Sequence, residues 1–421
     1  MIASFANLLF LCSIFFLSWQ TQWIIGSVSI SGQASSYGVF SVYVVEVFIL
    51  FAFLLRLRQQ TSPMVLHSWK TLSFFLAMVF FSLSFSHFTQ IGWFQAIHVV
   101  SASMLYFLIT DQRTNIKQVL SLFLLGLMVP VALGWFQVIR GSSPDSTTLG
   151  IAAKDVFTPG VAVVETLAGR LMRAYGTFPH PNIFGGYLAF AVIALGYLSL
   201  RLKKHEWVMG LVGAAVFGAT LVTTFSRSAW LGLFIGCLVL IALMFWQKKI
   251  PPRRALPILM IGLASVLSTL ILFHNQVFSR VYPTGRIEVI SIEERASQYQ
   301  TVDDVFLSAP FFGVGPNAYT FVLSQRDPGH PAWSYQPVHN TFLLILAELG
   351  LVGILFFGYF IFSVNPIAHA SVRKPDGMFA VMIGVTFFVI ALFDHYLWSL
   401  WSGLALSALA CAVMVRWERD K

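Results

Sequence analysis

The chain has 421 residues, of which 57% are hydrophobic and only 10% are charged. Soluble proteins carry about 25% charged residues, so this composition excludes an ordinary soluble domain and indicates a membrane protein with several spans. The net charge of +9 is explained by basic residues that flank the spans on one side of the membrane, and we predict no nucleic-acid partner.

Apolar segments recur along the chain and predict an all-α integral membrane protein with one polytopic domain, residues 1–421. The N-terminal segment lacks the basic flank of a cleaved signal peptide, so we expect it to remain as the first span. Spans need about 20 apolar residues each. On this basis we predict twelve: 5–27, 38–55, 71–88, 92–110, 118–138, 183–200, 207–225, 228–246, 255–273, 340–363, 378–396 and 399–415.

Basic residues are distributed unevenly between the two sides of these spans. Six alternate connections, together with Lys70, carry 17 of the 26 Lys and Arg residues, so the positive-inside rule places them and both termini in the cytoplasm. Eight of the nine outward basic residues are Arg. Arg grips phosphate with a planar fork that Lys lacks, although pairing with outward acids such as Asp155 or Glu294 explains these residues equally well.

Two outward segments, 139–182 and 274–338, are too long to be simple connections, and we expect both to carry short helices. In the second segment Ser291 and Glu294 fit a capping box, and apolar residues follow at helical spacing as far as Phe306. This pattern predicts an amphipathic helix that begins near Ser291 and has Arg295 in its first turns.

Both long segments end in a histidine and an asparagine directly before an apolar run, in PHPNIFGGYLAF and PVHNTFLLILAEL. Asn is a good helix cap, so Asn182 and Asn340 are predicted to open helices, with His180 and His339 beside them. Helix N-termini favour anions. Two such ends beside outward Arg residues therefore predict a phosphate-binding site.

His339 is the strongest candidate for a catalytic residue, because neutral imidazole is the most frequent general base. The alternative is a histidine that binds lipid headgroups.

Arg227 lies at a tight turn between two spans, where a charged residue indicates a functional site, unless its side chain only extends to the membrane surface. Asp394 could orient His339 or pair with an Arg, or could be a turn residue. We interpret His395 as interfacial and Glu348 as a hydrogen-bonding residue within the bundle.

Several motifs that would indicate a metal or a nucleotide are missing from the sequence. There is no outward D-x-D pair, no HExxH and no GxxxxGK[ST]. We therefore predict no metal site and no cofactor.

Four segments, RAYGTFPHPN, TFSRSAW, APFFGVGPNAY and PVHNTFLLILAELGLVG, occur in this order between residues 173 and 353. Together they resemble the O-antigen ligase-like family of bacterial membrane glycosyltransferases, which includes O-antigen ligases and polymerases. The resemblance implies transfer of a glycan from an undecaprenyl-diphosphate carrier to an acceptor hydroxyl at the outer face of the inner membrane, without metal and with inversion. The acceptor could be lipid A core, a polysaccharide chain or a protein, and membrane lipid surrounds the site.

The resemblance also implies roles for individual residues of this chain. The family's catalytic histidine corresponds to His339, and its intramembrane arginine corresponds to Arg227. A loop arginine that binds diphosphate corresponds to Arg295, with Arg286 as the alternative. An acidic residue of the family near the outer end of a late span corresponds to Asp394, in a supporting role. The outward charge and the helix starts, rather than the resemblance, suggest Arg173 as a further diphosphate ligand and Asn340, Asn182 and His180 in supporting roles.

A lipid-linked oligosaccharide flippase or another polysaccharide transporter is the main alternative to an enzyme. Such a transporter is expected to show paired halves and charges at mid-membrane, whereas the charges here crowd the outer face. A homologue without activity is the third possibility. Glycan transfer from the lipid carrier by the purified protein separates these classes.

Overall fold

The structure is a computed structural model, and it describes residues 2–30, 32–58, 66–86, 88–166, 169–200, 206–247, 255–281, 286–364 and 374–419. Of the described residues 71% are helical, which confirms a mainly helical fold. The apolar runs form helices because each keeps its backbone hydrogen bonds internal, as hydrocarbon surroundings require.

Seventeen α-helices and six short strands make up the described part of the chain. The helices are α1 Ile2–Phe15, α2 Val44–Leu57, α3 Leu66–Leu83, α4 Thr89–Thr110, α5 Ile116–Gly126, α6 Met128–Arg140, α7 Pro181–Ser199, α8 Trp207–Thr223, α9 Arg227–Trp246, α10 Ala255–Leu272, α11 His274–Val281, α12 Arg286–Ser308, α13 Tyr319–Arg326, α14 Thr341–Ser363, α15 Pro375–Phe393, α16 Tyr396–Ser399 and α17 Trp401–Arg419. The strands are β1 Gln22–Ile30, β2 Gln33–Tyr43, β3 Ser142–Ser143, β4 Lys154–Asp155, β5 Val163–Thr166 and β6 Gly169–Met172.

The predicted count of twelve spans is not confirmed. Within the described ranges, six segments are long and apolar enough to cross a membrane: Thr89–Thr110, Ile116–Arg140, Pro181–Ser199, Arg227–Trp246, Thr341–Ser363 and Pro375–Phe393. A bent pair, Met260–Leu272 and His274–Arg280, meets at 87°. Four further apolar helices are shorter, namely Ala3–Ser18, Trp69–Leu83, Trp207–Thr223 and Trp401–Arg416.

The first two predicted spans are wrong in their extent, because a β-hairpin separates the helices. The predicted span 5–27 ends in a 3₁₀ turn at Phe16–Ser18, and β1 and β2 then pair antiparallel, with Gln22 opposite Tyr43. Valine, isoleucine and aromatic residues in this stretch alternate with Ser and Gly. Such alternation favours strands over helices, and the high overall hydropathy concealed it.

The two long segments also differ from the prediction. The first, 139–182, carries antiparallel strand pairs in its described part, β3 with β4 and β5 with β6, instead of short helices. The second carries a helix where one was expected, but α12 begins at Arg286 and runs for 23 residues, so the capping box at Ser291 is wrong. Strand β5 contacts both α11 and α12, which places the two segments at the same end of the bundle.

Helix α7 is the centre of the bundle, with 94% of its span buried. It packs against α5, α8, α9, α15 and α17. Its N-terminus meets the N-termini of α9 and α14 at the end where the long segments lie, so the fold gathers three helix starts around one point.

Helix α14 is broken at Gly350, which has φ 69° and ψ −173°, and the segment 310–315 fills the break. The main-chain N–H of Leu351 donates to the carbonyl of Pro310 (2.8 Å), and the N–H of Gly315 donates to the carbonyl of Glu348 (2.9 Å). A Cβ atom on Gly313 would lie 2.2 Å from the backbone of Glu348. Only glycine permits this approach, and it accounts for the first glycine of the APFFGVGPNAY motif.

The side chain of Glu348 confirms the predicted hydrogen bonding within the bundle. Its Oε2 accepts from the main-chain N–H of Asn317 (2.8 Å) and from the indole N–H of Trp398 (2.6 Å). These bonds connect Asn317, which precedes α13, and Trp398 on α16 to Glu348 on α14.

Candidate functional site

His339 lies partly buried beneath α12, in the last turn of chain before α14. Its ring Nδ1 is 2.8 Å from Oε1 of Gln298 on α12, and its main-chain N–H donates to the same oxygen (3.3 Å). One oxygen of Gln298 therefore contacts both the ring and the main chain of His339. Sequence analysis missed Gln298, because a single Gln on an amphipathic helix carries no signal for a site.

His395 is the second histidine of the site, and its interpretation as interfacial is wrong because the residue is buried. Its ring stands edge-on to that of His339, with centroids 5.2 Å apart. Its Nδ1 lies 2.7 Å from Oγ of Ser399, and the ring of Tyr37 from β2 lies 6.0 Å away. The unpredicted hairpin thus supplies a residue that packs against the site.

Asp394 connects the starts of three helices. Its carboxylate Oδ2 accepts from Nδ2 of Asn182 at the start of α7 (2.7 Å) and from Oγ of Ser228 at the start of α9 (3.4 Å). Its main-chain carbonyl accepts from Oγ1 of Thr341, the first residue of α14 (2.8 Å). A carboxylate beside three positive helix ends is stabilised by their dipoles, so Asp394 acts as a structural centre of the site.

The start of α7 differs from the prediction at Asn182. The cap is His180, whose Nδ1 accepts from the main-chain N–H of Asn182 (3.1 Å), and Pro181 occupies the first helical position. Asn182 instead accepts from Nη2 of Arg173 (2.6 Å) and donates to Asp394. Arg173 also donates from Nε to the carbonyl of Thr224 (2.7 Å). Arg173 thus holds the site together through hydrogen bonds that the sequence did not reveal.

At α14 the predicted cap is confirmed. The side chain of Asn340 accepts from the main-chain N–H groups of Phe342 and Leu343, both at 3.0 Å, and its Nδ2 donates to the carbonyl of Leu392 (3.2 Å). The cap fixes the backbone of the residue next to His339.

Arg295 is the loop arginine that the fold brings to His339. Its positive charge acts on His339, His395 and Asp394. Within the described part of the chain, its buried Nε has no hydrogen-bond acceptor. The side chain of Arg286, the alternative, lies outside the described residues.

Arg227 is the first residue of α9, where Oγ of Ser226 caps the helix. Its Nη1 donates to the carbonyl of Arg280 on α11 (3.3 Å), and the next residue, Ser228, reaches Asp394. Arg227 therefore lies at the edge of the group of helix starts, and its guanidinium is directed towards α11.

Burial and positive charge together determine the protonation of these groups. Burial lowers the pKa of His339 well below its ordinary value, and His395 and Arg295 lower it further. Burial likewise lowers the pKa of His395 to about 3 and raises that of Asp394 to about 6. The pKa of His180 is also lowered well below its ordinary value, first by burial and then by Arg173, the two other histidines and Lys154. At neutral pH the three imidazoles are thus uncharged, which is the form that accepts a proton.

Lys154 is a further cation near the site, and sequence analysis assigned it no role. Its Nζ lies 3.6 Å from the ring centroid of Tyr175, and burial lowers its pKa to about 8. Its charge also acts on His180, so the first long segment adds to the positive field at the start of α7.

An apolar cavity of about 180 Å³ begins at Thr341 and Phe342, two to three residues after His339. It continues along α14 to Phe360 and Ile361 and is lined by residues of α3, α4 and α14 to α17. The apolar space inside the helical bundle therefore shares the first residues of α14 with the surroundings of the site.

Removing the cap of α14 tests how far the site depends on it. Asn340→Ala should lower the free energy of unfolding by about 1 kcal/mol, because two main-chain N–H groups lose their acceptor. Asn115→Ala is a matched control, since Asn115 caps α5 in the same way through Lys117 and Gln118. Thermal unfolding in detergent should show similar losses for both variants, while only Asn340→Ala also lowers activity. An unchanged melting temperature for Asn340→Ala would contradict the capping role.

A comparison with known protein families matches the part of the chain that contains His339 and Arg295. Residues 212–358 match the family model described as O-antigen ligase. This segment is similar to the O-antigen ligase family. The match begins in α8 and ends in α14, so it contains Arg227, Arg295, Gln298 and His339. No curated protein matches the chain at a significant level.

The O-antigen ligase match confirms the resemblance seen in the sequence and indicates an enzyme that acts on glycans. Lipid-linked glycans and their acceptors are the partners that this family implies in general. Together with the apolar helices, the match indicates a protein of the bacterial inner membrane. Arg173, His180, Asn182 and Asp394 lie outside the matched segment, and the structure joins them to it.

Proposed function

We propose that this protein is a membrane glycosyltransferase that transfers a glycan from a polyprenyl-diphosphate carrier to an acceptor hydroxyl. The observation that carries the proposal is the position of His339, an uncharged imidazole beside Arg295 within the O-antigen ligase segment. The combination fits a reaction in which one group must accept a proton and its neighbour must bind a dianionic leaving group.

The proposed reaction is a single displacement at the anomeric carbon. Nε2 of His339 takes the proton of the acceptor hydroxyl while that oxygen forms a bond to the anomeric carbon. The bond from this carbon to the diphosphate oxygen breaks, and the carrier diphosphate leaves with the electron pair. Attack opposite the leaving group inverts the sugar. The proton on His339 then passes to solvent.

The positive groups supply binding of the diphosphate. The Nε of Arg295 has a free N–H in the described structure, and Arg227 and Arg173 add charge near the starts of α9 and α7. A guanidinium binds two phosphate oxygens with two parallel N–H donors. The apolar cavity that begins at Phe342 offers space for part of the carrier's lipid tail, so headgroup and tail would bind on either side of the α14 start.

The sidedness of the reaction follows from the charge distribution of the sequence. With both termini in the cytoplasm, the end of the bundle that carries the long segments faces the periplasm. This orientation, the absence of a metal requirement and the absence of a cofactor remain predictions.

Glycan transfer in a reconstituted system tests the proposal. The purified protein in liposomes receives an undecaprenyl-diphosphate-linked radiolabelled glycan and an envelope extract as the source of acceptors. We expect label to leave the carrier and the carrier diphosphate to be released, with the rate unchanged in excess EDTA. Activity that is lost in EDTA and restored by Mg²⁺ would disprove a metal-free mechanism. Movement of intact lipid-linked glycan across the bilayer without transfer would instead favour the flippase.

A further inference from the structure

The contact between His339 and Gln298 fixes more than the position of the imidazole. A neutral imidazole carries its proton on either Nδ1 or Nε2, and only the other nitrogen can act as a base. The base that the proposed reaction needs is therefore defined only when the tautomer is defined.

The hydrogen bonds around Gln298 determine this tautomer. The main-chain N–H of His339 can only donate, and it points to the side-chain amide of Gln298 at 3.3 Å. The amide must therefore present its carbonyl oxygen, because its NH₂ group would place donor against donor. The same oxygen lies 2.8 Å from Nδ1 of His339. A carbonyl oxygen can only accept, so Nδ1 carries the proton.

We infer that Gln298 is a positioning residue that holds His339 with its proton on Nδ1 and leaves the lone pair of Nε2 for the acceptor hydroxyl. The inference rests on the proposed function only for the use of Nε2 as a base; the tautomer itself follows from the contact. Helix α12 therefore does more than cover the site, because it selects which nitrogen reacts.

Four charged or titratable residues lie around His339, and they will influence any measurement of its titration. Arg295 is on α12, one turn before Gln298, and His395 and Asp394 follow α15. His180 lies at the start of α7. Burial lowers the pKa of His339, and His395 and Arg295 lower it further. A carboxylate in place of the Gln298 amide would act in the opposite direction.

Nitrogen NMR on ¹⁵N-histidine-labelled protein measures the tautomer directly, without substrate. The chain has ten histidines, and the signals of His339 are those that disappear in His339→Gln. We expect protonated Nδ1 and unprotonated Nε2 at neutral pH. A spectrum with the proton on Nε2 would overturn the inference whatever the activity of any variant.

Three variants extend the test. Gln298→Leu should mix the two tautomers and lower the transfer rate by ~10–10²-fold through misplacement of the base. Gln298→Glu should retain the acceptor but raise the pKa of His339 by about 1 unit or more, so the acid limb of the rate profile moves to higher pH. Gln300→Glu is the matched control, because it adds the same charge to an exposed position of α12 and should change neither the tautomer nor the profile.

The outcomes separate this inference from the proposed function. If His339 titrates alike in wild type and Gln298→Glu, or if Gln300→Glu gives the same shift, Gln298 is not the positioning residue. If the NMR result is as expected but His339→Gln transfers glycan at the wild-type rate, the positioning role stands and the base role of His339 is wrong.

Discussion

His339→Gln is expected to lower glycan transfer by ~10²–10⁴-fold, the usual contribution of a general base. The amide side chain can form hydrogen bonds, but it cannot take up the proton of the acceptor hydroxyl. His339→Ala should be equally inactive, and both proteins should be produced and inserted normally. His330→Gln serves as the control, since His330 belongs to the same long segment but pairs with Asp327 at the surface (3.2 Å).

The pH dependence of the rate provides an independent measurement of the same residue. An unperturbed histidine would lose base activity near pH ~6.5. Because burial, His395 and Arg295 lower the pKa of His339, it remains neutral below that value. The rate should therefore stay level as pH falls through 6.5 and decline only in more acidic solution. A fully active His339→Gln variant with the wild-type profile would make His339 a binding residue.

Protein stability must be followed in the same pH series. The pKa values of His339, His180 and His395 are lowered in the folded state, so below about 6.5 the unfolded chain binds protons that the folded chain does not. Stability therefore falls as pH drops below this value. Asp394, whose pKa is raised to about 6, acts in the opposite direction, since its folded form binds the proton more tightly between about pH 4 and 6. Melting temperatures at each pH separate unfolding from titration of the base.

Arg295 and Arg173 should respond in opposite ways to replacement by Leu. Arg295 keeps a buried Nε without an acceptor among the described residues, and an unsatisfied buried donor costs about 1–3 kcal/mol, or more when it is charged. In the absence of the glycan carrier, the Arg295→Leu protein should therefore be as stable as wild type or more stable. Transfer should nevertheless fall by ~10²–10³-fold, because the variant loses a donor to the developing charge on the diphosphate.

Arg173→Leu should instead lower the melting temperature, because Asn182 and the carbonyl of Thr224 lose a buried donor. Arg295→Lys completes the comparison, since it retains the charge without the planar fork and should transfer almost as poorly as Arg295→Leu. Thermal unfolding without the glycan carrier measures the effect on stability. The transfer rate at a saturating concentration of the carrier measures the effect on catalysis. A marked loss of stability in Arg295→Leu would show that this arginine is structural.

The sequence predicted those parts of the site that depend on local chain chemistry. Asn340 caps α14 because an Asn precedes an apolar run, and Glu348 forms hydrogen bonds because an acid within a span requires partners. The family resemblance implied a diphosphate-binding role for Arg295, which stays a prediction, and the contact between α12 and α14 brings this residue near His339. In each case a few neighbouring residues or one motif carried the information.

The remaining features depend on contacts between distant parts of the chain. His180 caps α7 in place of Asn182 because Asn182 is used by Arg173 and Asp394, and neither contact can be read from the sequence around PHPN. Tyr37 reaches His395 only because an apolar stretch forms a hairpin. Gln298 was missed for the same reason, since its partner is 41 positions away and amphipathic helices commonly carry Gln on their exposed face.

The broken helix α14 has a consequence for the order in which the protein assembles. An isolated span in hydrocarbon must satisfy its own backbone hydrogen bonds, so α14 cannot keep its break at Gly350 while it is alone in the bilayer. The break becomes stable only when the carbonyl of Pro310 accepts from Leu351 and the N–H of Gly315 reaches Glu348. We therefore expect the break in α14 to become stable together with the docking of the 310–315 segment, which follows α12 directly in the chain. A chain in which this docking fails is expected to be inserted in the membrane and inactive.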